Sequence, residues 1–285
     1  MLIAQITDVH IGFDPLSENE LNLQRFHAVL QALIDGPNQP DLLLLTGDLT
    51  DRGDAESYAR LRKALAHCPY PCLPLVGNHD VRDAFHAAFA NCDDGAGFVQ
   101  YVHDTDDVRF IIIDTLEEGR HGGAYCERRA AWLDARLAEA PDKPTYIAMH
   151  HPPIECGIEW MNTAPDEPWV RAFSAVIAGH PQVRGLICGH LHRSVTAAWE
   201  GRTVSICASS APQVTADFNP MDSDFPDGRP MIVAENPAYA LHRWNGRELV
   251  SFYMDVAEVP VLARYDAKMQ PLIQHLEEER QEAAF

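Results

Sequence analysis

The stretch LLLLTGDLTDRG, residues 42 to 53, sets four consecutive leucines and Thr46 before Gly47-Asp48 and Asp51-Arg52-Gly53. A continuous apolar run of that length reads as a strand buried on both faces. The glycine lets the backbone turn sharply and expose a carboxylate at the strand's end. The arrangement recurs along the chain. The apolar run 2–6 ends in Thr7-Asp8-Val9-His10, and 72–76 ends in Gly77-Asn78-His79-Asp80. Run 146–149 ends in His150-His151-Pro152-Pro153, and 185–188 in Gly189-His190-Leu191-His192. Each feature taken singly is an ordinary strand terminus with a capping polar residue. Five such termini, all rich in Asp, Asn or His, are not explained that way. In open α/β architectures the carboxyl ends of strands line one crevice, which brings the clusters together.

Between the runs lie amphipathic stretches of helical period. Phe26, Val29, Leu30, Leu33 and Ile34 mark a helix near 20–35, and Tyr58, Leu61 and Leu65 one near 54–66. Trp132, Leu133 and Leu137 mark a third near 127–139, and Val170, Phe173, Val176 and Ile177 a fourth near 167–178. With further apolar runs at 110–113 and 204–207, strand and helix alternate, which predicts an α/β or mixed α+β layered domain over residues 1–207. Residues 208–285 form a second region. Its 208–240 stretch is rich in Pro, Asp and Ser and reads as a loop or lobe packed over the core. Asn245-Gly246 between two apolar segments predicts a hairpin. The tail from 261 reads as helical, interrupted at Pro271.

The 285 residues carry 42 Asp and Glu against 22 Lys and Arg, a formal charge of -20 with histidines neutral. Without a basic tract, a nucleic-acid polymer and an anionic membrane surface are both expected to be excluded as partners. The longest apolar runs fall far short of the roughly 20 residues a spanning helix needs, and Asp8 interrupts the N-terminal run before a signal-peptide core forms. The expected location is cytoplasmic. Seven cysteines, an odd number with no CxxC pair, fit reduced thiols better than a disulfide framework. Cys68 and Cys72 lack the second pair that a thiolate metal site requires.

The 14 histidines point to metal chemistry. In an extended segment alternate side chains share a face, so both members of Asp8-x-His10 or His190-x-His192 reach one site. Oxygen and imidazole donors with surplus carboxylate suit two divalent or trivalent first-row ions, such as Mn, Fe, Co or Zn. The clusters contain no cysteine, which argues against a structural zinc site. Asp48, on the most acute turn, is placed to bridge ions held roughly 3.5 to 4 Å apart.

Together the five signatures resemble those of the calcineurin-like metallophosphoesterases, in that family's order over residues 1–195. Met149-His-His-Pro-Pro153 and the extended C-terminal region resemble, more narrowly, the bacterial class III cyclic-nucleotide phosphodiesterase and glycerophosphodiesterase branch. The resemblance implies a four-layer αββα sandwich with a C-terminal lobe that caps the site or mediates homo-oligomerisation. It implies that Asp8, His10, Asp48 and His192 hold one metal and Asp48, Asn78, His150 and His190 the other, with Fe or Mn foremost. His79 would stabilise the developing charge or protonate the leaving oxygen while a metal-activated hydroxide attacks phosphorus in line, and Asp80 would orient or tune His79.

The implied function is hydrolysis of a small phosphodiester, either a 3',5'-cyclic nucleotide such as cAMP or a glycerophosphodiester. Alternatives are a phosphomonoesterase or a nuclease of the same family, or a non-catalytic protein-binding scaffold. Val76 stands where serine/threonine phosphatases place an arginine before Gly-Asn-His, which favours the less charged diester. His151 is expected to play a supporting role, Asp51 and Arg52 to stabilise a turn, and histidines outside the signatures, His121 among them, to pack or face solvent. Substrate selection is expected from 154–168 (Glu155, Trp160, Asn162) and from 208–240 (Phe218, Asn219, Phe225).

Overall fold

The computed structural model describes residues 1–17 and 19–282. Consecutive parallel strands require crossovers, and the first three in this chain are each followed by a helix. They are β1 (Leu2–Ile6), α1 (Leu21–Asp35), β2 (Leu42–Thr46), α2 (Ala55–Leu65), β3 (Cys72–Leu75) and α3 (Arg82–Ala88). A second series follows with β4 (Tyr101–Asp104), β5 (Arg109–Ile112), α4 (Glu127–Ala138), β6 (Thr145–Ala148), α5 (Pro168–Ala178), β7 (Val183–Cys188), β8 (Val195–Trp199) and β9 (Arg202–Ile206). The chain closes with β10 (Gln213–Val214), β11 (Ile232–Val233), β12 (Ala238–Trp244), β13 (Leu249–Asp255) and α6 (Gln270–Glu282).

These strands make one sheet in the order β13-β12-β1-β2-β3 and another in the order β4-β5-β6-β7-β9-β8. Alternation within β2 explains its unbroken leucines. Leu43 and Leu45 pack with Phe26, Val29 and Leu61 of α1 and α2, while Leu42 and Leu44 pack against Phe110, Ile112 and Ile187 of the other sheet. Strand β5 repeats the pattern, with Ile111 turned toward Leu133, Leu137 and Phe173 of α4 and α5. The result is helix, sheet, sheet, helix: the four-layer sandwich.

The hairpin forms as expected, but β12 pairs antiparallel with β1 through Leu2↔Arg243 and Ile3↔His242. The sheets therefore extend to Asp255, and the expected boundary at 207 coincides with no break in them, because β1 has its second partner in β12. Helix formation in the tail begins at Gln270, and Pro271 lies in the first turn of α6 rather than interrupting it. Among the described residues no helix is long and apolar enough to cross a membrane.

A polar thread runs through the interior. Buried Gln5 on β1 donates through Nε2 to Thr46 Oγ1 and to the Cys188 carbonyl of the facing sheet, both at 2.8 Å. Its Oε1 accepts from His242 Nε2 at 3.0 Å, and His242 Nδ1 lies 2.7 Å from Ser251 Oγ. Burial pushes the His242 pKa down to about 4 from 6.5. Neutral in both states above pH 6.5, this group favours the unfolded chain as pH falls toward 4, where only the unfolded form takes the proton. At pH 5 the loss through this one residue is about 2 kcal/mol. Urea denaturation at pH 7.5 and pH 5 of the wild type and His242→Gln should show the gap between them shrinking by that amount. An unchanged gap would contradict the assignment.

Candidate metal centre

The carboxyl ends of β1, β2, β3, β6 and β7 meet, and the ligand candidates sit in the first residues beyond each. The local backbone is unusual. Asp8, His10, Asp48, His190 and His192 have φ between 47° and 71°, the left-handed region that non-glycine residues seldom adopt. The extended geometry expected for Asp8-x-His10 is thus replaced by a tight turn, because the loop hooks back so that the Val9 and His10 amides both donate to the Asp48 carbonyl, at 2.8 and 2.9 Å. Alternation survives in another form, since Val9 and Leu191 between the paired ligands are buried in the core. Strain of this kind costs energy and persists where the surroundings enforce it. Two glycines are required by the close approach. A Cβ at Gly77 would lie 2.2 Å from Asp48 Oδ1, and one at Gly189 would lie 2.0 Å from Thr7 Oγ1.

Two donor sets share Asp48. Asp8, His10, Asp48 and His192 offer ligand atoms within 4.8 Å of one another. Nε2 of His10 lies 3.5 Å from Asp48 Oδ2, and Nε2 of His192 lies 3.4 Å from Asp8 Oδ1. On the other side His150 Nε2 stands 3.3 Å from Asp48 Oδ2 and 3.2 Å from Asn78 Oδ1, which is 3.0 Å from His190 Nδ1. All seven ligand candidates converge.

The outer atoms of these imidazoles bear on whether metal fits. His150 Nδ1 donates to the Thr46 carbonyl at 2.8 Å and His192 Nδ1 to the Pro212 carbonyl at 2.8 Å, since a carbonyl only accepts. His10 Nδ1 is held by the Asp51 carboxylate at 3.2 Å. With the proton fixed on Nδ1, each presents a bare Nε2 lone pair to the cluster, the form in which histidine ligates. Without cations the charges interact strongly. Burial opposes charge on His150, but Asp48 and Asp8 outweigh it and push its pKa to about 9. Burial likewise opposes the Asp48 carboxylate, which His150 and His10 nonetheless hold well below the usual range. His190 is pushed well down by burial and by neighbouring imidazoles, His151 first. The donor set suits first-row ions.

His79 donates its backbone amide to Asp48 Oδ1 at 2.8 Å, and its Nδ1 lies 3.0 Å from the Asp51 carbonyl. Asp80 does not orient it. The buried Asp80 carboxylate instead accepts from the Leu49, Thr50 and Gly77 amides, Thr50 Oγ1 and Tyr58 Oη, at 2.7 to 3.2 Å. It pins the loop after β2 to the loop after β3, because a buried carboxylate demands several donors and these loops supply them. The residue that serves His79, and His10 as well, is Asp51, whose expected partnership with Arg52 does not form. His151 is buried in support, with Nδ1 2.8 Å from Thr115 Oγ1 and Nε2 donating to the His121 carbonyl at 3.1 Å.

A cavity of about 400 Å³ opens over the cluster, bounded by His79, Asp51 and His192 and by Phe13, Trp160, Met161, Val214 and Ile232. His121 also lines it, its ring 4.8 Å from that of His190. Neither lysine nor arginine lines it among the described residues. A larger hollow of about 620 Å³ near Arg193 and Tyr253 contains none of these donors and is set aside on chemical grounds. Of the expected selectors, Trp160 reaches the cavity. Asn162 Oδ1 is taken by the Cys156 and Gly157 amides, and Phe218 and Phe225 face solvent.

A family model described as calcineurin-like phosphoesterase matches residues 1–194. A probable glycerophosphodiester phosphodiesterase of Arcobacter nitrofigilis is 29% identical over 249 residues, covering 86% of this chain and 89% of that protein. A probable cyclic nucleotide phosphodiesterase of Rhodopseudomonas palustris is 37% identical over 236 residues, 76% of this chain and 81% of the other. The 3',5'-cyclic adenosine monophosphate phosphodiesterase of Escherichia coli K12 is 30% identical over 229 residues, 78% and 79% respectively. In fold the chain is similar to a dimetal phosphatase of Danio rerio, with a TM-score of 0.68 at 16% identity, covering 90% of this chain and 97% of that one.

Elemental analysis of the purified protein should find first-row metal that His150→Ala and Asp48→Asn largely lose. Asp51→Ala, which removes the carboxylate beside His10 Nδ1 and near His79 Nδ1 but no proposed ligand, should weaken affinity about 10- to 100-fold. Undiminished metal in the His150 variant would refute the ligand assignment.

Proposed function

This chain belongs to the calcineurin-like phosphoesterase family, and on that premise we propose that it is a binuclear-metal phosphodiesterase acting on a small diester, a 3',5'-cyclic nucleotide or a glycerophosphodiester. The observation that carries the reading is the single carboxylate, Asp48, whose Oδ2 stands between His10 of one donor group and His150 of another. Manganese or iron suits those oxygen and imidazole donors.

A bound metal pair supplies neutralisation of the phosphoryl charge and a lowered pKa for the attacking water. The chain's own residues do the rest. Water attacks phosphorus in line, the bond to the leaving alcohol's oxygen breaks, and that oxygen takes a proton. His79 lines the cavity and can give it as an imidazolium, whose Nδ1–H donates to the Asp51 carbonyl while its Nε2 proton is the one transferred. Asn78 and Asp8 keep their geometry through His190, whose ring faces Asn78 and whose amide donates to Asp8 Oδ2 at 3.0 Å. A diester brings one negative charge and a monoester brings more, and the cavity wall adds no lysine or arginine among the described residues to meet the difference.

The reading extends to the setting. Seven free thiols suit the reducing cytoplasm. Helix α6 buries none of its residues, and Leu262, Tyr265 and Leu272 stand exposed, which supports a homo-oligomer formed through the C-terminal region. Sedimentation should give a mass above that of one 31.8 kDa chain, and a monomer would refute it.

Manganese-loaded protein should hydrolyse bis(p-nitrophenyl) phosphate faster than p-nitrophenyl phosphate. Faster monoester turnover sinks the diester reading. His79→Ala should retain its metal while kcat falls about 10²- to 10⁴-fold.

A further inference from the structure

Beyond the metal cluster, the cavity wall carries an aromatic pair that the chemistry above does not use. Trp160 lies in a one-turn 3-10 helix, Glu159–Met161, and His121 in the loop between β5 and α4. Their rings lie 6.2 Å apart with planes inclined by only 26°, a stacked arrangement. His121 in turn touches ligand candidate His190, with ring centroids 4.8 Å apart. His121 therefore sits between the His190 and Trp160 rings, and the stack carries aromatic surface outward from the cluster along the cavity wall.

Both halves are held in place by contacts that involve no substrate. The loop carrying His121 starts at buried Asp114, gripped by Arg82 through two 2.8 Å bonds, and the His121 carbonyl is fixed by His151. The turn carrying Trp160 is closed by Asn162, and its Glu159 accepts the Met221 amide from the 215–231 loop. Phe218 from the same loop packs on Gly157, where a Cβ would meet its ring at 3.1 Å. The 215–231 loop thus backs the turn that carries Trp160, while Val214 and Ile232 beside it line the cavity. A surface ordered in advance loses little entropy when a ligand is laid on it.

Resting on the phosphodiesterase reading, we propose that Trp160 and His121 form an aromatic ledge that binds the organic substituent of the diester and sets specificity for a planar ring over a flexible polyol such as glycerol. Stacking rewards a flat guest on a flat surface, and each ring contact removed by alanine weakens binding about tenfold. Glycerol, small and flexible, gains little from such a surface and loses rotational freedom on it.

Calorimetric titration of the metal-loaded protein with phenyl phosphate and with inorganic phosphate tests the ledge without requiring turnover. Wild type should bind phenyl phosphate about tenfold more tightly than phosphate. Trp160→Ala and His121→Ala should each lose most of that preference, with phosphate affinity and metal content unchanged, while Trp160→Phe and His121→Phe keep it. Equal weakening of both ligands, or unaltered phenyl phosphate binding in the alanine variants, overturns the proposal. Failure of wild type to cleave bis(p-nitrophenyl) phosphate would instead remove the phosphodiesterase reading and leave this binding comparison intact.

Discussion

The Asp48 carboxylate stands where the strands of two sheets run out, and the arrangement of the site follows from the need to satisfy its charge away from bulk water. Its Oδ1 takes the His79 amide, and its Oδ2 faces His10 on one side and His150 on the other. Its backbone carbonyl meanwhile draws in the Val9 and His10 amides, which bends the first loop toward it. The left-handed backbone of Asp48 and four neighbouring ligand candidates is the conformational cost of gathering so many donors within a few ångströms. The sandwich supplies the rigidity that holds them there, since each central strand is locked by apolar contacts on both faces.

Charge gives this arrangement its purpose. The chain is acidic overall, and the cavity itself is edged by Asp14, Asp48 and Asp51, with neither lysine nor arginine among the described lining residues. An anionic ester approaching that surface is repelled unless cations sit in the two donor sets and reverse the local field. Substrate binding and metal loading are in this sense one electrostatic event.

Much of this was legible in the residues. Strands buried on both faces leave long apolar runs, and metal ligands need Asp, Asn and His in short clusters, so both signals survive without knowledge of tertiary contacts. What escaped was what depends on direction. Asp80 follows His79 in the chain, yet its side chain points the opposite way, to the amides of another loop, and Asp51, distant in sequence, takes its place. His121 lies in a loop with no periodic pattern, and long-range contacts, the grip of Arg82 on Asp114 and the bond from His151 to the His121 carbonyl, bring that loop over the cluster. A histidine immediately before a Gly-Gly pair offered no hint of this. Hairpin pairing with β1 was equally invisible, because a turn signal fixes which strands adjoin each other and says nothing of what lies beyond them.

Asp80 holds two loops together chiefly through peptide N–H groups, at positions 49, 50 and 77. Every amino acid except proline carries such a group, so three of the five donors do not depend on side-chain identity; the other two are the Thr50 and Tyr58 hydroxyls. Leu49 is therefore free, as far as this contact goes, to drift over evolutionary time while the spacing of Asp48 and Asn78 stays constant, whereas Thr50 also donates its hydroxyl to Asp80. Variation at position 49 thus leaves this part of the loop-to-loop link, and with it the spacing of the reacting centre, in place.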